Sequence, residues 1–386
     1  MLNFLYRNRV MVQTRCPRFR SVSPAFTLHD RMKMFRPLRL SLVAGLTSLV
    51  GVGAIGQAHA QSVATVPVGA VSVTVAAGNG ASRAVTVLSF PLLENPQASG
   101  QVMGRITGVT ANSITNSGAS WVVGALSSAS TPYLLQITSG TAKGSTFLIS
   151  TATSNTEDTV FLDAEESSLV DLRSLGIVTG DDGDTYRLLP CDTLSSILGA
   201  PGTTGVQGGT SPSAADIVMV FVSGGWRQYY FNTNSSAWLR VTFNTNSNNV
   251  PIRPDSLVIY NRIAPTAMAL TLTGAVPDLQ RKVYVRNSGI IPVSTLWPTN
   301  ITLQASGIHL IPGWVSSADS SVADVVQLFV SGGWRSYYHD GVNWKRVTFN
   351  TNSDSVVVAT GSGVVINRRG SATGTSVLSQ SLPYSL

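Results

Sequence analysis

The sequence predicts an all-β fold, and three observations carry that prediction. Helical periodicity is nearly absent along the chain. Short runs of Val, Ile, Thr and Tyr stand between clusters of Gly, Asn and Ser, the writing of strands and turns. One aromatic, asparagine-rich segment occurs twice, as "FVSGGWRQYYFNTNSSAWLRVTFNTNS" from Phe221 and as "FVSGGWRSYYHDGVNWKRVTFNTNS" from Phe329. The expected architecture is an N-terminal β-domain of hairpins followed by two tandem homologous β-units, sandwich-like or barrel-like, with no long helices.

Residues 1–60 read as an export leader. They hold nine of the 26 basic residues and one of the 19 acidic ones, Asp30. The high isoelectric point therefore belongs to this segment. The remaining 326 residues carry 17 basic and 18 acidic side chains, a net charge near −1, which argues against a nucleic-acid partner. Arg31, Lys33, Arg36 and Arg39 form a positive stretch ahead of the apolar run Leu40–Ile55, and "AHA" at 58–60 supplies small residues for cleavage after Ala60. The run is shorter than the roughly 20 apolar residues that span a bilayer, so cleavage is expected to leave no transmembrane segment. Met34 is in frame to open a signal of ordinary length.

Residues 61–183 are expected to form the N-terminal β-domain. Ala70–Leu93 alternates on both sides of "GNG" as a hairpin would; 104–115 gives two short strands around a tight turn. Tyr133–Thr153 is the clearest hairpin, with Leu135 and Ile137 alternating into a Gly-rich turn and Phe147 and Ile149 alternating out. That turn, "SGTAKG", lacks the helix a phosphate loop needs after its lysine. Glu165–Ile177 and Asp192–Leu198 are short-helix candidates, the second with Asp192 as its N-cap.

The doubling extends well past the quoted copies. Asp216–Tyr230 aligns with Asp324–Tyr338 at an offset of 108, Trp238–Ser247 with Trp344–Ser353 at 106, and "VIYNR" (258–262) with "VVINR" (364–368). "YRLLPCDTLSSIL" and "YVRNSGIIPVSTLW" look like a diverged pair upstream, giving units at about 184–277 and 282–386. Ala70–Pro91 echoes the closing segments of both units, so the segment 67–93 is free to pair with the C-terminal units, leaving about 100–182 as an insertion.

At "RITGVTAN" (105–112), "ITSGTAKGSTFLISTATSNT" (137–156), "NSGI" (287–290), "GSATG" (370–374) and "LSQSLPY" (378–384) the chain resembles a secreted family found mainly in verrucomicrobial bacteria. The likeness runs through turns and strands with no chemistry attached. It implies export and a shared architecture in a bacterial envelope or extracellular setting, and it supplies no catalytic residues.

Chemistry is sparse in the residues themselves. After the leader there is one cysteine, Cys191, so no intramolecular disulfide forms, and two histidines, His309 and His339. A nucleophile needs a base beside it; His339 stands where the other copy has Phe231, and His309 is flanked by Ile308 and Leu310. Neither a metal nor a cofactor is expected from so thin a ligand set. "GDDGDTY" (180–186) clusters carboxylates without EF-hand spacing, as a solvated turn does. The duplicated aromatics are the better lead. Period-2 alternation puts Leu239, Val241 and Phe243 on one face and Trp238, Arg240 and Thr242 on the other; with Val and Phe as the core side, Trp and Arg are half exposed. The candidate ligand-binding residues are Trp226, Arg227, Trp238 and Arg240, with Trp334, Arg335, Trp344 and Arg346. Packing across strands accounts for the same pattern, and both readings stay open. The expected function is that of an exported, non-enzymatic structural or adhesive component of the cell envelope or extracellular space. The alternative is a carbohydrate-binding protein using the duplicated Trp and Arg positions, with surface polysaccharide or envelope components as partners.

Overall fold

The computed structural model describes residues 67–93, 102–370 and 373–386; the leader lies outside them. The chain is all-β, with strands throughout and only short helical turns. Among the described residues no helix is long and apolar enough to cross a membrane.

Two five-stranded antiparallel sheets dominate. The first runs in the order Ala237–Arg240, Gly225–Asn232, Ile217–Val222, Leu257–Arg262, Ala84–Ser89. The second runs Trp344–Arg346, Gly333–His339, Val325–Val330, Gly363–Arg368, Gly289–Ser294. Their registers agree position by position: Val218 faces Tyr229 and Tyr260 in the first, and Val326 faces Tyr337 and Ile366 in the second. In each sheet the central hairpin turns on a Ser–Gly pair with positive φ at both residues, 51° and 76° at Ser223 and Gly224, 52° and 79° at Ser331 and Gly332. That geometry matches the right-handed twist of the flanking strands.

A two-stranded ribbon covers each sheet, Val68–Val75 with Met268–Ala275 on the first and Arg281–Arg286 with Thr375–Gln380 on the second. Val75, Met268 and Leu270 of the first ribbon close a core around Trp238, Val218, Tyr260 and Leu88. Val285 and Leu378 of the second close one around Trp344, Val326, Ile366 and Trp297. The expected hairpin at 70–93 does not form. Val68–Val75 and Ala84–Ser89 pair with different strands, in the ribbon and in the sheet respectively. The alternation that signals a strand says nothing about its partner, and here the partners lie about 200 and about 170 residues on.

Residues 102–190 build a third core around Phe147, Ile137, Ile114 and Leu188. Its sheets run Val102–Arg105, Thr185–Pro190, Tyr133–Ile137, Thr146–Leu148 and Gly108–Val109, Ser113–Thr115, Thr159–Phe161. Thr185–Pro190 stands at the head of the first unit in the sequence reading. It pairs instead with 102–105 and 133–137, and the place matching Gly289–Ser294 is taken by Ala84–Ser89. The two helical candidates shorten to Ala164–Leu169, followed by a 3-10 turn at Leu172–Leu175, and to Leu194–Leu198, whose N-cap is Thr193 in a capping box with Ser196. Asp192 binds the Ser196 hydroxyl instead. Asp184 of "GDDGDTY" is buried and accepts from Ser139 Oγ and Val178 N–H, so it serves its own turn.

Candidate functional site

The predicted site residues divide by burial. Trp238 and Trp344 are 0% exposed, and this overturns the expectation of half-exposed tryptophans on the Trp–Arg–Thr face. The physical reason is the register: Trp238 faces Phe231 across the edge of the sheet and packs against it edge-on at 5.8 Å, on the side closed by the ribbon. The Trp238 indole N–H donates to Gly199 O at 2.9 Å. Trp344 faces His339 in the same way. The opposite expectation fails with it. Phe243 and Phe349, placed in the core by extending the alternation, are each 62% exposed, because the strand ends at Arg240 and the chain turns.

That turn is the same in both copies. Arg240 N–H donates to Thr245 O and Asn244 N–H donates back to Arg240 O, at 3.0 and 2.8 Å. Arg346, Thr351 and Asn350 repeat the pair at 3.1 and 2.7 Å. Asn244 and Asn350 take φ of 50° and 52°, a left-handed conformation that Asn tolerates better than most side chains. The Tyr230 hydroxyl donates to Asn244 Oδ1 at 3.4 Å and that of Tyr338 to Asn350 Oδ1 at 2.6 Å. On this small scaffold the Arg240 guanidinium lies over the Phe243 ring at 4.7 Å, and Arg346 over Phe349 at 4.6 Å.

The remaining predicted residues stand at the same end of each sheet. Trp226 is half-buried against Phe221, edge-on at 5.3 Å; Trp334 meets Phe329 at the same distance and is 41% exposed. Arg240 stands across the strands from the buried Tyr229, two residues from Arg227; burial holds that phenol above its usual range, with the two guanidinium charges opposing. Arg335 and Arg346 are half-exposed at the corresponding places. Each tip therefore carries two arginines, one exposed phenylalanine and one tryptophan. Sequence reasoning missed Phe243, Asn244, Phe349 and Asn350. The signal available was the Asn–Thr–Asn–Ser run itself, which marks a loop and ends the strand before the phenylalanine.

Elsewhere a cleft of about 670 Å³ opens where the three cores meet. Asp163, Glu165 and Leu169 line it from the 102–190 body, Phe221, Asn248 and Arg253 from the first sheet's side, and Tyr284, Arg286 and Ile290 from the second's. Its charges are mostly engaged. Arg253 is ion-paired with Glu166 and with Asp255, and Glu165 accepts from Ser223 N–H at 2.8 Å. Tyr284 is stacked on Phe147 and hydrogen-bonded to Ser145; burial raises its phenol above the usual range. No group of three or more His, Cys, Asp or Glu that could hold a metal occurs among the described residues.

At the end of each sheet away from the tip sits a buried ion pair. Arg262 Nη1 lies 3.0 Å from Asp216 Oδ2, and Arg368 Nε 2.8 Å from Asp324 Oδ2, all four side chains essentially inaccessible. Each carboxylate also accepts two backbone N–H bonds, from Gln207 and Ile263 in one case and from Val315 and Arg369 in the other. These pairs tie the loop ahead of each sheet to its centre. Comparison of the chain with protein-family models, with curated proteins and with solved structures gave no match.

Proposed function

We propose that the protein is an exported, non-enzymatic adhesive component of the bacterial surface, built as two copies of one β-unit, and that it works by gripping carbohydrate at the two tips. The leader and the family resemblance support export. The observation that carries the binding reading is where the two copies agree. "FVSGGWR" and "RVTFNTNS" are identical in both, yet Ser223–Gly224, Thr242–Asn246 and their counterparts are exposed. The buried partner of the central tryptophan has meanwhile diverged, Phe231 in one copy and His339 in the other. Packing constrains buried residues most tightly, so identity held at exposed positions while the core drifts points to a shared surface task. A rigid, exposed ring beside donors of Arg and Asn is suited to stacking on a sugar ring and bonding its hydroxyls.

The test is retention of the secreted chain on a panel of polysaccharides. Phe243→Ala with Phe349→Ala is expected to abolish retention while leaving thermal unfolding within about 1 kcal/mol of the parent, as surface changes do. Equal retention by parent and double variant overturns the reading.

A further inference from the structure

Deepening that reading, on which the inference rests, we propose that the ligand is an acidic polysaccharide, held at each tip by a carboxylate or sulfate in the grip of two arginines. Among the described residues no acidic side chain forms an ion pair with Arg227, Arg240, Arg335 or Arg346. Arg173, Arg187, Arg253, Arg262 and Arg368 are each matched to an aspartate or glutamate. Arg83, Arg105, Arg281 and Arg369 have no acidic partner either, but each donates to backbone carbonyls. Among the described arginines the four at the tips, with Arg286, therefore stand apart in having neither. A chain with a net charge near −1 outside its leader has acids enough to neutralise these four as well, and it leaves them open.

The placement fits an anion attached to a ring. Arg227 and Tyr229 lie two residues apart on one strand, Arg240 stands directly across from Tyr229, and the Arg240 guanidinium carbon lies 4.7 Å from the Phe243 ring centroid. A guanidinium resting on an aromatic ring keeps its N–H edges available for two parallel bonds to a carboxylate or sulfate. The exposed face of Phe243 stands beside it for the apolar face of the sugar that bears the charge. The turn matters here: the left-handed Asn and its Tyr hydroxyl hold the phenylalanine out toward solvent, so little ordering is required on binding. Glu165 meets the first hairpin at Ser223, and its carboxylate accepts the Ser223 N–H at 2.8 Å. Two such tips on one chain would add avidity on a polymer.

The experiment is affinity electrophoresis or biolayer binding of the mature chain to polygalacturonate, to its methyl-esterified form, to dextran sulfate, to neutral dextran, and to vesicles containing acidic phospholipid. Expected is binding to polygalacturonate or dextran sulfate at least about tenfold tighter than to the uncharged polymers, weakening steeply between 50 and 300 mM salt as screening grows. The polygalacturonate and dextran sulfate arms separate a uronate from a sulfate ligand. Arg240→Gln with Arg346→Gln should lose about tenfold or more on the acidic polymers, and either single change much less, because avidity remains. Equal affinity for charged and neutral polymers overturns the acidic assignment and leaves the carbohydrate reading standing. Binding to none of the polymers overturns both. Binding to the acidic vesicles alone, or acidic-polymer binding indifferent to the arginine pair, removes the tips as the site.

Discussion

At the residue scale the largest energies belong to the two tryptophans that cannot reach a ligand. Trp238→Ala is expected to cost about 3–5 kcal/mol through lost burial and the cavity left behind, read as a shift of the urea midpoint. A change under about 1 kcal/mol would contradict the core placement. Composition told that these positions are aromatic and duplicated, but orientation was not legible there. Period-2 alternation divides a strand into two faces without saying which is wet, and Val241 and Phe243 were the wrong anchor because they lie past the strand's end. The histidines show a related limit. His309 and His339 stack at 4.5 Å with 14° between their planes, against Trp344, a contact between residues thirty apart that no spacing rule announces. Gly341 N–H donates to His339 Nδ1, which leaves the proton of the neutral ring on Nε2. Burial holds both imidazoles below their usual range; for His309 the neighbouring His339 adds to this, while Asp354, and at His339 also Asp340, pull the other way. The sign follows from linkage. As pH falls through the ordinary imidazole value near 6.5, the unfolded chain takes protons that the folded pair refuses, so stability is level above that pH and declines below it. His339→Phe, copying Phe231 of the other sheet, should lessen the fall in melting temperature between pH 7.5 and 5.5. An unchanged slope would show that the pair does not govern it.

At the element scale the informative unit is the turn that ends the edge strand in each copy. The Thr–Phe–Asn–Thr–Asn run breaks alternation because Asn244 and Asn350 enter the left-handed region, and once the chain has turned, side-chain parity no longer follows the strand. A β-branched residue in that conformation is strained by roughly 1–2 kcal/mol. Asn350→Val is therefore expected to lower stability by about that amount, with a further loss from the Tyr338 hydroxyl bond, whereas Asn350→Gly should lose only the bond. Chemical denaturation of the pair checks this, and Val and Gly variants of equal stability would deny the turn its left-handed residue. The hairpins were legible where both strands are local, as at Tyr133–Ile137 with Thr146–Leu148. They were not where partners are distant, as at Val68–Val75 and Ala84–Ser89.

At the scale of the whole molecule the two sheets differ in how their strands are supplied. Every strand of the second sheet and its ribbon comes from 281–386. The first sheet takes its edge strand, and its ribbon half the ribbon, from 68–89, with the 102–190 core lying between those strands and the rest in sequence. Cross-links join the parts: Arg187 pairs with Asp278 at 2.5 Å, Arg253 with Glu166, and the Tyr384 hydroxyl donates to Pro277 O at 2.9 Å. Removing 67–93 would expose the Leu257–Arg262 edge, leave Met268–Ala275 unpaired and strip Val75, Leu88 and Phe90 from the core around Trp238. An unpaired edge over an open core does not hold. A fragment of 279–386 is accordingly expected to unfold cooperatively, with native-like near-ultraviolet dichroism. A fragment of 191–277 should show neither property until a peptide of 67–93 is added, when both appear. Cooperative unfolding of 191–277 alone would mean that the first unit is complete without its distant strands, and that the strand pairing at 68–89 is incidental to its stability.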